Sequence, residues 1–382
     1  MNRRDFLSGS AVGLSVGVVA GWFGRGTGGK KMAPKKSAGD KPKAPAVTKG
    51  IKRLRMVTPW PKNFPGLGTA ANRFAARVNH ASEGRYEIKV FAGGELVKLL
   101  RCNDAVQQGT ADLYHSADYY YQEKSQAYAW FTAVPGGLSP AEIDAWIHHL
   151  GGQKLWDEVG AQFGIKHLPA GNTGHQMGGW FRKPITSLED FKGLKMRIPG
   201  LGGAVIKELG AILVTLTGSE ILPALQAGTI DATEYIGPWN DLAFGFYKVV
   251  KNAYYPGFHE PGAMLSLGFR KQMWDGFSAA DQALFTACAL AENNYNQAEF
   301  NANNAQALET LVTKHGVTYR PFPEAVFKGM AEAAKDVVAT AGAKDALTKK
   351  VYASFIDARK TLGDWTRISD QAYFNMRDLA KY

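Results

Sequence analysis

Along most of this chain the apolar residues switch between two spacings, every second residue and every third or fourth, in segments too short to fold alone. Residues 53–58 alternate and run into Pro59-Trp60-Pro61, a loop. The spacing of Ala71, Phe74, Ala75 and Val78 predicts a helix over 68–82, ended before Gly84. Residues 86–91 alternate again, with Ile88 and Val90 on one face, and the period over 95–108 predicts a second helix stopped at Gly109. Strand, loop, helix, strand, helix is the order of an α/β fold with a largely parallel sheet, because parallel neighbours need a crossover of about helix length.

The same order continues. Ser139-Pro140-Ala141-Glu142 is a capping box with proline at the first helical position, and it opens a helix predicted to reach Phe163. A strand is expected over 165–170. Ser187-Leu188-Glu189-Asp190 caps a turn before a strand at 194–198, and Gly200, Gly202 and Gly203 lead into a helix ending at Leu209. A short helix over 219–227, closed by Gly228, precedes a strand at 230–234. Ser278-Ala279-Ala280-Asp281 opens a long helix that can run to Lys314, where Gly316 stops it. From Asp345 onward, Leu347, Val351, Phe355, Ala358, Leu362 and Trp365 share one helical face. That face packs either on its own body or on a second subunit.

Charge narrows the function classes once it is located. The 382 residues carry +11, but residues 1–50 hold ten Lys or Arg against two acids, so the remainder is only +3. The folded body needs no nucleic acid to explain its charge. Arg3-Arg4-Asp5-Phe6-Leu7 stands before an uncharged stretch over 7–23, rich in Gly and Ser. This is the layout of an export signal, and the Arg-Arg-x-Phe-Leu pattern resembles a twin-arginine signal over 1–26. Residues 27–50 read as a disordered basic linker. Ala44-Pro45-Ala46 is a poor cleavage site, which leaves open whether the signal persists as a membrane tether. Two cysteines, Cys102 and Cys288, exclude a disulfide-rich scaffold and a four-cysteine zinc site; whether they pair with each other is open. Cys102 is expected to be buried in its helix.

The motifs of common catalytic machinery are absent: no Gly-x-Ser-x-Gly elbow, no phosphate loop, no His-Glu-x-x-His, and no Gly-x-Gly-x-x-Gly among Gly200, Gly202 and Gly203. His148 and His149 point about 100 degrees apart on a helix, which suits a surface or core role better than a metal site. Three segments stand out instead, each placing a polar group at a strand end or in a Gly-rich loop: 174–183, 195–203 and 231–238. Ligands of open α/β sheets sit beyond the carboxyl ends of strands. Arg197 ends an apolar strand ahead of a Gly-rich helix start, so its guanidinium and free N–H groups can converge on one carboxylate. Glu234 also ends its strand and would repel such a ligand unless a cation lies between them; Gln176 offers a neutral oxygen of the kind hard cations accept. The alternative is an ordinary salt bridge between Arg197 and Glu234 on adjacent strands.

At these segments the chain resembles the substrate-binding proteins of TRAP transporters, the DctP family, in its branch for 2-oxo acids and small monocarboxylates. The resemblance runs from about Arg53 to the C-terminus on Phe91-Ala92-Gly93-Gly94-Glu95-Leu96-Val97, Ala170-Gly171-Asn172-Thr173-Gly174, Gln176-Met177-Gly178-Gly179-Trp180-Phe181-Arg182-Lys183, Leu194-Lys195-Met196-Arg197-Ile198-Pro199-Gly200, Asp231-Ala232-Thr233-Glu234 and Tyr254-Tyr255-Pro256-Gly257-Phe258-His259-Glu260. It implies a two-lobed periplasmic-binding-protein clamp with crossing hinge strands, a long bracing helix and a C-terminal helical extension. Lobe I would take 51–172 plus 255–298, lobe II 173–254, and the bracing and C-terminal helices 299–382. It implies binding without catalysis, in the periplasm, and delivery of a small carboxylate such as pyruvate or lactate to the TRAP permease subunits. Arg197 would pair with the substrate carboxylate. A bridging sodium or calcium ion would be held by the Gln176 side chain, the Glu234 carboxylate and the backbone carbonyl of Tyr235. The branch usually carries Trp where Tyr235 stands, so the pocket wall differs. Tyr119, Tyr120 and Tyr121 lie where the family lines its cleft, and Tyr120 is the expected contact. A homodimer through the C-terminal helix is the remaining expected partner. The rival from another class is an exported metal-dependent enzyme acting on small carboxylates, with His175 or His259 as its proton-transfer group.

Overall fold

The computed structural model describes residues 50–380; the export-signal reading and nearly all of the basic linker lie outside them. Eleven strands are present among the described residues: β1 Lys52–Val57, β2 Tyr86–Phe91, β3 Leu113–Ser116, β4 Ile165–Asn172, β5 Gly179–Phe181, β6 Lys195–Arg197, β7 Ile212–Leu213, β8 Ala232–Thr233, β9 Asn252–Tyr255, β10 Met264–Arg270 and β11 Thr318–Pro321. They form two sheets, one ordered β2-β1-β3-β10-β4 and the other β11-β9-β5-β8-β6-β7.

The expected parallel pairing holds where a helix makes the crossover. β1 runs parallel to β2 through the helix Gly68–Ala81, whose Ala71, Phe74, Ala75 and Val78 are buried as their spacing predicted. It fails at two strands. β10 is antiparallel to β3 and β4, and β5 is antiparallel to β8 and β9. Each of these enters its sheet directly from the other sheet, β4 leading to β5 and β9 to β10. No helical crossover enforces a parallel direction there. These two connections, 173–178 and 256–263, are the short passages between the sheets; a third passage, from β10 to β11, runs through helices.

Across both sheets lies the 35-residue helix Ala279–Thr313, about 50 Å long at 1.5 Å per residue. A row of asparagines fastens it. Asn293 accepts from the Gly171 N–H at 2.9 Å, Asn296 donates to the Gly66 carbonyl at 2.7 Å, and Asn304 accepts from the Trp239 N–H at 3.0 Å. Backbone groups beside both sheets are therefore tied to one rigid rod. At Gly171 any Cβ would lie 2.7 Å from the Asn296 side chain.

Two helical expectations need correction. The predicted helix over 95–108 is reduced to Cys102–Gln107. Glu95 instead accepts from the Ala92 N–H at 2.9 Å in a turn, and Leu100 takes a left-handed φ of 63°, which no continuous helix tolerates. The predicted helix from Pro140 to Phe163 is two helices, Pro140–His149 and Gly152–Ala161, divided at Gly151 with φ of 89°. The capping box at Ser139 and Glu142 is present. Segment 299–382 contributes β11 as well as helices. Cys102 and Cys288 are both buried and free, and burial pushes the Cys102 thiol up to about 12.

The C-terminal helix Ala346–Thr366 packs on its own body along its first half. Val351, Phe355 and Ala358 are buried. Phe355 meets Trp146 edge-on at 5.2 Å, and Trp146 and Trp156 both stack on Phe131. Beyond that, Trp365 is 65% exposed and Ile368 70%. Phe355→Ala should therefore cost about 3–5 kcal/mol of unfolding free energy, and Trp365→Ala less than about 0.5 kcal/mol in a monomer. Urea denaturation at low protein concentration measures both; equal losses would contradict this packing.

Candidate functional site

The two inter-sheet connections and the ends of β6 and β8 converge on one buried cluster. Arg197, the last residue of β6, has 4% of its surface exposed. Its Nη1 donates to the Glu234 backbone carbonyl at 2.7 Å and its Nε to the Leu216 carbonyl at 3.2 Å. These two carbonyls fix the guanidinium and leave Nη2 without a protein partner among the described residues. The Tyr235 ring lies under it, 5.5 Å from ring centre to guanidinium carbon.

Glu234 follows β8 and is buried, yet neither carboxylate oxygen has a hydrogen-bond partner. Arg197 Nη1 is 3.8 Å from Oε2, because its short bond goes to the backbone instead. The ordinary salt bridge between adjacent strands is thus a poor description of the pair. His259 Nε2 lies 3.3 Å from the same oxygen without the alignment of a hydrogen bond.

Gln176 comes from the first connection. Its Nε2 donates to Thr173 Oγ1 at 3.0 Å and to Glu260 Oε2 at 2.7 Å, which leaves Oε1 buried and without a partner. In this orientation both hydrogens of the amide are used, one by the Thr173 hydroxyl and one by the Glu260 carboxyl. The Tyr235 carbonyl accepts no hydrogen bond among the described residues. Ligand atoms of Glu234, His259 and Glu260 lie within 4.8 Å of one another. Gln176, Arg197, Tyr235, Tyr119 and Tyr120 line a cavity of about 20 Å³ with Trp60, little more than one water requires.

Arg197, Gln176, Glu234, Tyr235 and Tyr120, the five site residues expected from the sequence, all meet here. Tyr121 instead points into the core and donates to Ser116 at 2.8 Å. His175 is exposed and lines an outer apolar groove of about 970 Å³ instead of this cavity, the two being separated by Gln176, which lines both. His148 and His149 are exposed. Glu260 and Trp60 were missed as site residues: Glu260 sits in a Gly-Phe-His-Glu-Pro loop that has no period, and only its place in the second connection brings it in. Gly202 and Gly203 serve packing. A Cβ at Gly202 would lie 2.5 Å from His259 Cβ, and one at Gly203 would lie 3.0 Å from the Ile198 carbonyl.

Burial governs the electrostatics. It pushes the carboxyls of Glu234 and Glu260 up to about 8, only partly opposed by Arg197 in each case, and holds His259 down at about 4. Three carboxyl or amide oxygens without partners, in a site that disfavours bare negative charge, suit a hard cation of the sodium or calcium type. The donors present therefore fit such an ion.

Two lobes around a buried carboxylate-directed site define a solute-binding clamp. Residues 56–345 match the bacterial extracellular solute-binding proteins, family 7, DctP, and the chain belongs to this family, the extracytoplasmic solute-binding component of TRAP transporters. It is 39% identical over 323 residues, 85% of this chain and 88% of the relative, to a monocarboxylate 2-oxoacid-binding periplasmic protein of Nostoc. A TRAP solute-binding protein of Bordetella bronchiseptica superposes with a TM-score of 0.84 at 33% identity, covering 86% of this chain and 98% of that one; it is a mixed-occupancy dimer with calcium and picolinate in one active site. One from Pseudoalteromonas atlantica, with sodium and pyruvate bound, gives 0.81 at 35% identity, covering 85% and 98%.

A pH prediction follows from the raised carboxyls. Their folded values exceed the unfolded value of 4.5, so their contribution to stability is whole below about 4.5 and is lost as pH rises through about 8. In chelator, the melting temperature of the wild type should fall relative to that of Glu234→Gln between pH 5 and pH 8. Parallel curves in thermal denaturation would refute the assignment.

Proposed function

We propose that this protein captures a small 2-oxo or 2-hydroxy monocarboxylate, such as pyruvate or lactate, with a bridging cation, and delivers it to the TRAP permease. The observation that carries the reading is the unpartnered set of Gln176 Oε1 and the Glu234 oxygens beside a guanidinium with a free Nη2. Arg197 orients the ligand carboxylate, Tyr120 and Tyr235 wall the cavity, and Tyr235 in place of the usual Trp changes the room beside the ligand. Gln176, Glu234 and the Tyr235 carbonyl would hold the cation, which supplies the positive charge that lets an anion approach Glu234. The small cavity favours a ligand of few heavy atoms.

The lobes would be 51–172 plus 255–298 and 173–254, hinged at the two connections, with 299–382 bracing them. Ligand and cation bind the closed form better and so shift the population towards it. Binding and release, without chemistry, suit a site whose one histidine is buried and neutral. Export by the twin-arginine route, with or without a retained tether, rests on the sequence of residues 1–26. The exposed apolar side chains Trp365, Ile368, Tyr373, Phe374 and Leu379 favour pairing of the C-terminal helix with a second copy.

Two outcomes test these readings. Arg197→Ala removes the partner of a desolvated carboxylate and should cost about 2–5 kcal/mol of pyruvate binding; calorimetry with wild-type affinity retained would sink the assignment. Truncation after Thr366 should yield a monomer in light scattering, where the full chain is a dimer. An unchanged mass would remove the helix from the interface.

A further inference from the structure

The cavity of about 20 Å³ has two kinds of wall. Arg197 and Gln176 bring the polar groups that the proposed carboxylate and cation take. The remaining wall is largely apolar and includes Trp60, Leu67, Ala117 and Leu265. Trp60 is the largest of these side chains and the most firmly held. Its N–H donates to Thr58 Oγ1 at 3.3 Å, its carbonyl accepts from the Gly93 N–H at 2.8 Å, and its indole Nε1 donates to His115 Nδ1 at 2.9 Å. Pro61 further restricts its backbone to extended conformations. His115 is wholly buried and does not itself line the cavity. Since Nδ1 accepts from the indole, Nε2 carries the ring hydrogen and donates to the Ala170 carbonyl at 3.2 Å. Burial holds this imidazole down at about 4, so Nδ1 stays an acceptor at neutral pH.

We propose that Trp60, locked by His115, sets the size limit on the group attached to the ligand's 2-oxo carbon, admitting methyl and excluding branched chains; this rests on the monocarboxylate reading above. A wall that only had to be apolar would need no buried imidazole, and a leucine at position 60 would supply one at no polar cost. A histidine buried against one indole N–H fixes the plane of the ring instead, with both imidazole nitrogens bonded inside the protein. Leu67 and Leu265 can change rotamer to make room. The indole cannot turn without leaving its buried N–H and His115 Nδ1 unpaired. Tyr120 stands tilted beside it, with ring centres 6.3 Å apart, so a bulky group would have to press against two rings in a closely packed wall.

The test is calorimetric titration of the full chain, in buffer holding both sodium and calcium, with pyruvate and with 4-methyl-2-oxopentanoate, which carries isobutyl in place of methyl. The wild type should prefer pyruvate by roughly 100-fold, and this ratio tests the size limit without any variant. Trp60→Leu should lower the preference roughly tenfold or more, mainly by tighter binding of the longer acid. His115→Leu leaves every side chain of the cavity wall in place and removes only the anchor of the indole. It should lower the ratio in the same direction, whereas a merely structural role would weaken both acids alike. Thermal denaturation checks that each variant is folded. Similar affinities of the wild type for the two acids, or a folded variant of either kind with the wild-type ratio, would overturn the proposal. A wild type that binds neither acid would sink the monocarboxylate reading, and this proposal with it.

Discussion

Glu234 lies beside Arg197 without a hydrogen bond to either carboxylate oxygen, and much of the surrounding structure exists to keep it so. The guanidinium is the obvious partner. It is diverted to two backbone carbonyls, Glu234's own and that of Leu216. An acid left this way costs free energy in the unliganded protein, and in the proposed function that cost becomes a driving force once a cation and an anion enter together. The same diversion keeps part of the guanidinium available for a ligand carboxylate. A complete Arg197–Glu234 ion pair would be the more comfortable arrangement and the less useful one.

Placing these two residues needs both sheets. Arg197 and Glu234 come from β6 and its neighbour β8, but Gln176 and Glu260 come from the connections to the other sheet. Any rotation of one sheet against the other therefore changes the cluster. The long helix limits the rotation, since Asn293, Asn296 and Asn304 bind backbone groups on both sides of it. The connections 173–178 and 256–263 thus both join the sheets and carry Gln176 and Glu260 into the cluster.

Much of this was legible in the sequence, and the misses have causes. Periodicity located the helix at Gly68 and the strand at Tyr86, because their burial follows one face. It overran at 95–108, where an apolar spacing was overridden by the left-handed turn at Leu100. It did not reach β5 or β10, whose antiparallel direction is set by connections that carry no period. Arg197 and Glu234 stood out as charges at the ends of apolar strands. Glu260 did not, because a lone acid in a Gly- and Pro-rich loop reads as solvent-exposed until tertiary structure buries it. The three glycines after Arg197 suggested an anion cradle, whereas two of them permit the helix to approach His259 and the Ile198 carbonyl.

The central claim is that cation and carboxylate occupy one site and each compensates the charge problem of the other. Thermodynamic linkage makes this measurable as a closed cycle: calcium affinity in the presence and absence of pyruvate, set against pyruvate affinity in the presence and absence of calcium. The account predicts that each ligand tightens the other, by the same factor in both directions. Independent binding, with both factors equal to one, would contradict it.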